Sequence, residues 1–178
     1  MKREIYERQV KRALEMYEKA NIILTEQEKA NIEVVDFEIG IVDEVGLQMI
    51  TYVNTQRVCA KEMVLLPHQT CPEHMHVPTN GNEGKEETFR CRYGKVYLYV
   101  PGEGKKEDIQ AKLPATDVSV FHEIVLNPGE QYTLMPQTWH WFQAGEEGAV
   151  ISEFSTRSTD ETDTFTDPRL VREPNIED

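Results

Sequence analysis

From residue 32 to residue 157 the chain is built of short apolar or alternating runs, ended again and again by Gly or Pro (Gly40, Gly46, Pro67, Gly94, Pro101, Pro128, Gly129, Pro136, Gly145, Gly148). No stretch here has the length and 3.6-residue period of a helix that could join two parallel strands. Many short strands with frequent turns leave an antiparallel sandwich or barrel, a mainly β fold. Strands are expected over 33–39, 46–53, 57–66, 71–76, 86–92, 95–100, 118–126, 131–135, 139–143 and 149–155. Ahead of them, Tyr6, Val10, Ala13, Tyr17 and Ala20 recur at helical spacing, which predicts a helix packed outside the sheet. Thr25 and Glu28 have capping-box spacing, and a second short helix is expected over 26–31. At 178 residues one domain with a real core is expected: a helical segment 1–31, a β-barrel 32–157 and a tail 158–178 that returns to the barrel.

Lys and Arg number 19 against 32 Asp and Glu, a net charge of −13. That balance disfavours nucleic acid and anionic membrane surfaces, both of which need clustered cations. It suits a cation and a neutral substrate. The chain opens on Lys2, Arg3 and Glu4 and has no long apolar run, so neither a signal peptide nor a membrane span is expected, and the cytoplasm is the expected compartment. Cys59, Cys71 and Cys91 are odd in number and lack zinc spacing; they are expected to be reduced, with Cys91 filling core.

His74 and His76 stand at i and i+2, so on a strand both imidazoles project from one face. With Glu87 on the next strand and the distant His140, they compose a three-nitrogen, one-oxygen site with positions left open, as a working metal site requires. The bland alternative is surface or core histidines. Glu86 points to the opposite strand face and Glu83 lies in a loop, which makes them weaker rivals to Glu87. Three imidazoles and one carboxylate suit manganese best, with iron, cobalt, nickel or zinc as substitutes.

The segment Glu87-Thr-Phe-Arg-Cys-Arg-Tyr-Gly94 resembles the end of the first motif of the cupin superfamily, and Gly129-Glu-Gln-Tyr-Thr-Leu-Met-Pro136-Gln-Thr-Trp-His140 resembles the second. The resemblance implies a double-stranded β-helix, or jelly-roll barrel. One departure is the ten residues between His76 and Glu87, so Pro78–Lys85 is expected to loop out. Beyond the motifs, Tyr52-Val-Asn-Thr-Gln-Arg57, Cys59-Ala-Lys-Glu-Met63, Gln69-Thr-Cys-Pro-Glu-His74, Lys85-Glu-Glu-Thr-Phe-Arg-Cys-Arg92 and Glu153-Phe-Ser-Thr156 are similar to the D-lyxose isomerases, cupin ketol-isomerases. This resemblance implies a manganese-dependent aldose–ketose isomerase for D-lyxose/D-xylulose and D-mannose/D-fructose, and a homodimer is expected because cupins often pair through a sheet.

Such a reaction moves a proton between C1 and C2, so it needs a group poised near neutral pH. Glu153 interrupts the apolar run Ala149, Val150, Ile151 and Phe154, where burial would raise its proton affinity; it is the candidate base, against a salt-bridged glutamate on the outer face. Lys61 is the second candidate, to hold a substrate hydroxyl or transfer a proton, against a lysine that snorkels. Arg172 matches the arginine of the family's C-terminal tail and is a candidate for binding sugar hydroxyls, with Arg169 as its neighbouring rival. Trp139 and Trp141 flank His140 and are expected to face away from the metal. Ser158–Asp167, despite Asp160, Asp163 and Asp167, lacks EF-hand spacing and reads as a plain polar segment. Few cations are expected near the site, which favours an unphosphorylated sugar. A ferrous dioxygenase and a non-catalytic sugar-binding cupin are the competing readings.

Overall fold

The computed structural model describes residues 1–79, 81, 83–172, 176 and 177. Asn80 and Asn82 of the expected loop, and Glu173–Asn175 and Asp178 of the expected tail, lie outside the described residues.

Helix α1 (Arg3–Lys19) and the short α2 (Glu26–Ala30) precede nine strands: β1 (Glu33–Val35), β2 (Leu47–Asn54), β3 (Cys59–Leu65), β4 (Thr70–Met75), β5 (Glu87–Val100), β6 (His122–Leu126), β7 (Gln131–Leu134), β8 (His140–Ser155) and β9 (Thr164–Phe165). All named pairings are antiparallel. Two strands are much longer than expected. Segments 86–92 and 95–100 are one strand, β5, and segments 139–143 and 149–155 are one strand, β8. Each bends once and belongs to both walls of the barrel. The C-terminal half of β8 pairs with β3 and its N-terminal half with β4, while β5 runs along the other side of both halves and picks up β7 and then β6.

The bends change the phase of side-chain alternation. Along β8 the inward residues are His140, Phe142 and Ala144, then Ala149, Ile151 and Glu153; along β5 they are Glu87, Phe89 and Cys91, then Val96 and Leu98. In a regular strand, residues an odd number apart face opposite sides, so each strand must gain a residue at its bend. The pairing shifts between Cys91 and Tyr93 and again between Gly94 and Val96. Gly94 and Gly148 sit at this corner with φ of +72° and +79°, and a Cβ built on Gly94 would lie 1.9 Å from the Gly148 carbonyl oxygen. Only glycine fits there.

Alternation sorts the rest. On β3, Lys61, Met63 and Leu65 face the barrel interior; Val64 faces out, where it meets Ala13, Met16 and Tyr17 of α1. The helical stripe therefore packs as expected, and Tyr17 adds a hydrogen bond from its hydroxyl to the Glu62 carbonyl at 2.7 Å. Burying a side chain of this size contributes about 1.5–3 kcal/mol. The capping box of Thr25 and Glu28 is formed. Residues 101–121 cover the outer face of the second wall, where Trp141 stacks on Tyr99 at 3.9 Å and donates to the Val120 carbonyl. This architecture is the cupin-type double-stranded β-helix, with the helices outside it.

Gly94→Ala is expected to lower stability by at least about 3 kcal/mol, since clash adds to backbone strain. Gly129, at φ +92° with open space around it, should cost only the strain, about 1–2 kcal/mol. Urea midpoints of the two variants measure the difference.

Candidate active site

The barrel interior is apolar at depth, with Met49, Met63, Phe89 and Phe142, and charged towards one end. Between these layers lies a cavity with about 390 Å³ of space not filled by atoms, the open solvent at its mouth included.

His74 and His140 face each other in register across β4 and β8, and His76 follows on the same side as His74. Each ring uses its Nδ1: His74 bonds the Pro72 carbonyl at 2.8 Å, His140 the Thr138 carbonyl at 2.9 Å and His76 the Asp163 carboxylate at 2.6 Å. Donation to these acceptors fixes a proton on Nδ1, so that each ring, when neutral, offers its Nε2 lone pair. One ring nitrogen from each histidine lies within 4.8 Å of the others. Glu87 Oε1 lies 3.1 Å from Nε2 of both His76 and His140. Lone pairs facing a buried carboxylate repel it unless a positive charge stands between them. Among the described residues, His140 Nε2 has no hydrogen-bonding partner of good geometry. Donors about 2.1 Å from one ion and at a right angle are about 3 Å apart, so the residues fit a divalent cation. Without such an ion, Glu87 and Asp163 hold His76 up at about 9 against burial and the Lys85 charge, whereas burial and the two neighbouring rings push His74 well below its ordinary value. Glu86 is exposed, as alternation required.

Lys61 and Glu153 are direct partners in the β3–β8 register and both line the cavity, Glu153 at 2% exposure. Neither is on the outer face. Glu153 Oε1 accepts from Lys85 Nζ at 3.2 Å and from Ser155 Oγ at 2.9 Å. Arg172 also lines the cavity and is tied to Glu33 at 2.7 Å; Arg169 lies outside, paired with Asp167. Trp141 faces away from the histidines, as expected.

Three residues of this cavity escaped the sequence reading. Lys85, assigned to the loop, sends its ammonium to Glu87 at 2.8 Å and to Glu153 and Asp160, each at 3.2 Å. It stands two residues before Glu87, so alternation alone could have placed it on the same face. Asp160 and Asp163, read as part of a plain polar segment, turn into the cavity because Ser158–Asp163 crosses its open end: Asn54 Nδ2 donates to the Ser158 carbonyl, and Thr162 meets Thr79. No local pattern announces that. The expectation of few cations is also corrected, since Lys61, Lys85 and Arg172 all reach the cavity. Glu33, Glu87, Glu153, Asp160 and Asp163 pair with them and with His76. Burial would raise the Asp160 carboxyl, but Lys85, Lys61 and Arg172 outweigh it and hold it well below the carboxylate range.

A family model described as D-lyxose isomerase matches residues 10–178. The chain belongs to the D-lyxose isomerase family. It is 62% identical over 167 residues to the D-lyxose/D-mannose isomerase of Thermosediminibacter oceani, covering 92% of each chain. It is 57% identical over 169 residues to the D-lyxose ketol-isomerase of Cohnella laeviribosi, covering 93% of this chain and 92% of that one. The L-ribose isomerase of Cellulomonas parahominis, solved with L-ribose, superposes with a TM-score of 0.73 at 15% identity, over 99% of this chain and 98% of that one; at that identity the likeness is one of fold. Membership of the family makes the protein an aldose–ketose isomerase.

Among the described residues, Asp163 is the one side chain that holds a histidine of this cluster through Nδ1, the other two being held by backbone carbonyls. Asp163→Asn is expected to weaken divalent-metal affinity about 10- to 100-fold, read by competition with a fluorescent chelator.

Proposed function

We propose that this isomerase is metal-dependent, acts on free monosaccharides and interconverts D-lyxose with D-xylulose and D-mannose with D-fructose by proton transfer through an enediol. The observation that carries the reading is the convergence of three imidazole lone pairs and the Glu87 carboxylate in a cavity whose wall holds Lys61 and Glu153 in register. His74, His76, His140 and Glu87 would hold the ion, with manganese favoured by the donor set and iron, cobalt, nickel and zinc as substitutes. When bound, it would supply Lewis-acid stabilisation of negative charge developing on the sugar oxygens.

Glu153 acts as the base that carries the proton between C2 and C1. Its carboxylate is kept from water by burial and held in place by Ser155 and Lys85. Lys61 holds a substrate hydroxyl beside it, and its ammonium favours the enediolate as charge accumulates. Arg172, fixed by Glu33, binds the hydroxyls at the other end of the sugar. The balanced charge of the cavity suits a neutral substrate.

Outside the barrel, Val53, Ala60 and Phe154 lie in one row across β2, β3 and β8, with Val53 40% and Phe154 51% exposed. This apolar row supports a homodimer, and the reading places the enzyme in the cytoplasm. Light scattering on the eluted protein is expected to give twice the chain mass, and Phe154→Glu should shift it towards the monomer.

The decisive test is to strip the protein with chelator, restore manganese and follow ketose formation from a panel of aldoses in deuterium oxide. Activity should return with the metal, and solvent deuterium should enter the product at C1 or C2. Ketose formed without deuterium would point to a hydride shift instead. Glu153→Gln should lower kcat about 10²- to 10⁴-fold while leaving metal affinity unchanged.

A further inference from the structure

Asp160 receives three cations. Its Oδ1 lies 3.2 Å from Lys85 Nζ, and its Oδ2 is bonded by Lys61 Nζ and stands 3.4 Å from Arg172 Nη2. Two ammonium groups and a guanidinium converging on one oxyanion make the arrangement that proteins use to bind phosphate. Here the oxyanion belongs to the chain. The three cations differ in their other support: Lys85 also meets Glu87 and Glu153, Arg172 also meets Glu33, but Lys61 has its only ion pair among the described residues with Asp160 and otherwise reaches Ser158 Oγ at 2.9 Å. The segment that carries Asp160 closes the open end of the cavity, so a substrate bearing an anionic group at its far end would meet this carboxylate.

We propose that Asp160 is the specificity-determining residue for charge: its carboxylate occupies an anion site formed by Lys61, Lys85 and Arg172, and thereby excludes phosphorylated sugars. The statement rests on the reading of this cavity as the sugar site, but its test requires no turnover. Removing the charge while keeping the shape takes away the carboxylate that Lys61 bonds directly and leaves its ammonium, with Glu153 across the strand pair, in reach of an external dianion.

Inorganic sulfate is the probe, titrated calorimetrically into the manganese-loaded enzyme at constant ionic strength. Asp160→Asn is expected to bind sulfate at least about tenfold more tightly than the unaltered protein. Glu161→Gln removes the same charge one residue away, on an exposed side chain, and should leave sulfate affinity unchanged. Equal affinity in Asp160→Asn and the parent, or an equal gain in Glu161→Gln, overturns the proposal. Asp160→Ser, which leaves more room between the cations, serves if asparagine is not accommodated. Should both variants fold poorly, the rise of Tm with sulfate reads the same quantity, and a Tm indifferent to sulfate counts against the proposal as firmly as a flat titration. If the parent protein turns over no aldose while the sulfate gain appears, it is the sugar-site reading that fails and the anion site that stands.

Discussion

The site depends on one constraint, the loss of alternation phase where β5 and β8 turn the barrel corner. His140 and Glu153 are thirteen residues apart on β8, an odd number, and a regular strand would send one of them to the outer face. The corner around Gly148 restores Glu153 to the interior, and the matching corner at Gly94 lets β5 follow while Glu87 stays inside. A barrel in which one strand serves β3, β4 and β5 thus brings an imidazole from its beginning and a carboxylate from its end into one interior. Glycine is needed at the corner because two backbones touch there, and the active site inherits that requirement although neither glycine reaches it.

Charge is the second organising principle. Burying Lys61, Lys85, Arg172 and their carboxylates would each alone be costly, and the network is tolerable because each cation meets at least one carboxylate. Lys85 spends its ammonium on three carboxylates, which couples Glu87 to Glu153 through one side chain. A change in the charge at the histidines is therefore felt at Glu153, across the cavity. Depth matters as well: the apolar floor of Phe89 and Phe142 keeps water from screening these contacts.

How much of this was legible follows from which signals are local. The helical stripe of α1 and the capping box of α2 depend on spacing within one element, and both formed as read. Strand breaks at the Gly94 and Gly148 corners were seen in the sequence, but a break and a bend leave the same trace there, so β5 and β8 were each divided in two. The four converging residues around His74 could be found because His-x-His on a strand is a face, and a second motif supplied the partner. Lys85 obeys the same two-residue rule and was obscured by its place at the end of a Gly-rich insertion. Asp160 and Asp163 obey no rule of period at all. Their position comes from where the chain goes after β8, back over the mouth it has just helped to form, and that is a property of the completed barrel.

The three histidines divide in an instructive way. For His74 and His140 the acceptor of the Nδ1 proton is a carbonyl two residues earlier in the same chain segment, so the tautomer comes with the backbone. For His76 it is Asp163, 87 residues further on, in the segment that closes the cavity. Two rings are therefore set as soon as β4 and β8 pair, whereas the third is set only when residues 158–163 lie in place. Any displacement of that segment removes the Nδ1 partner of His76 and the ion pair of Lys61 in the same movement, because Asp160 and Asp163 travel together, while Arg172 keeps Glu33. Closure of the cavity, orientation of the His76 ring and neutralisation of the cationic wall are in this way one structural event, carried by a stretch of chain whose sequence gives little sign of it.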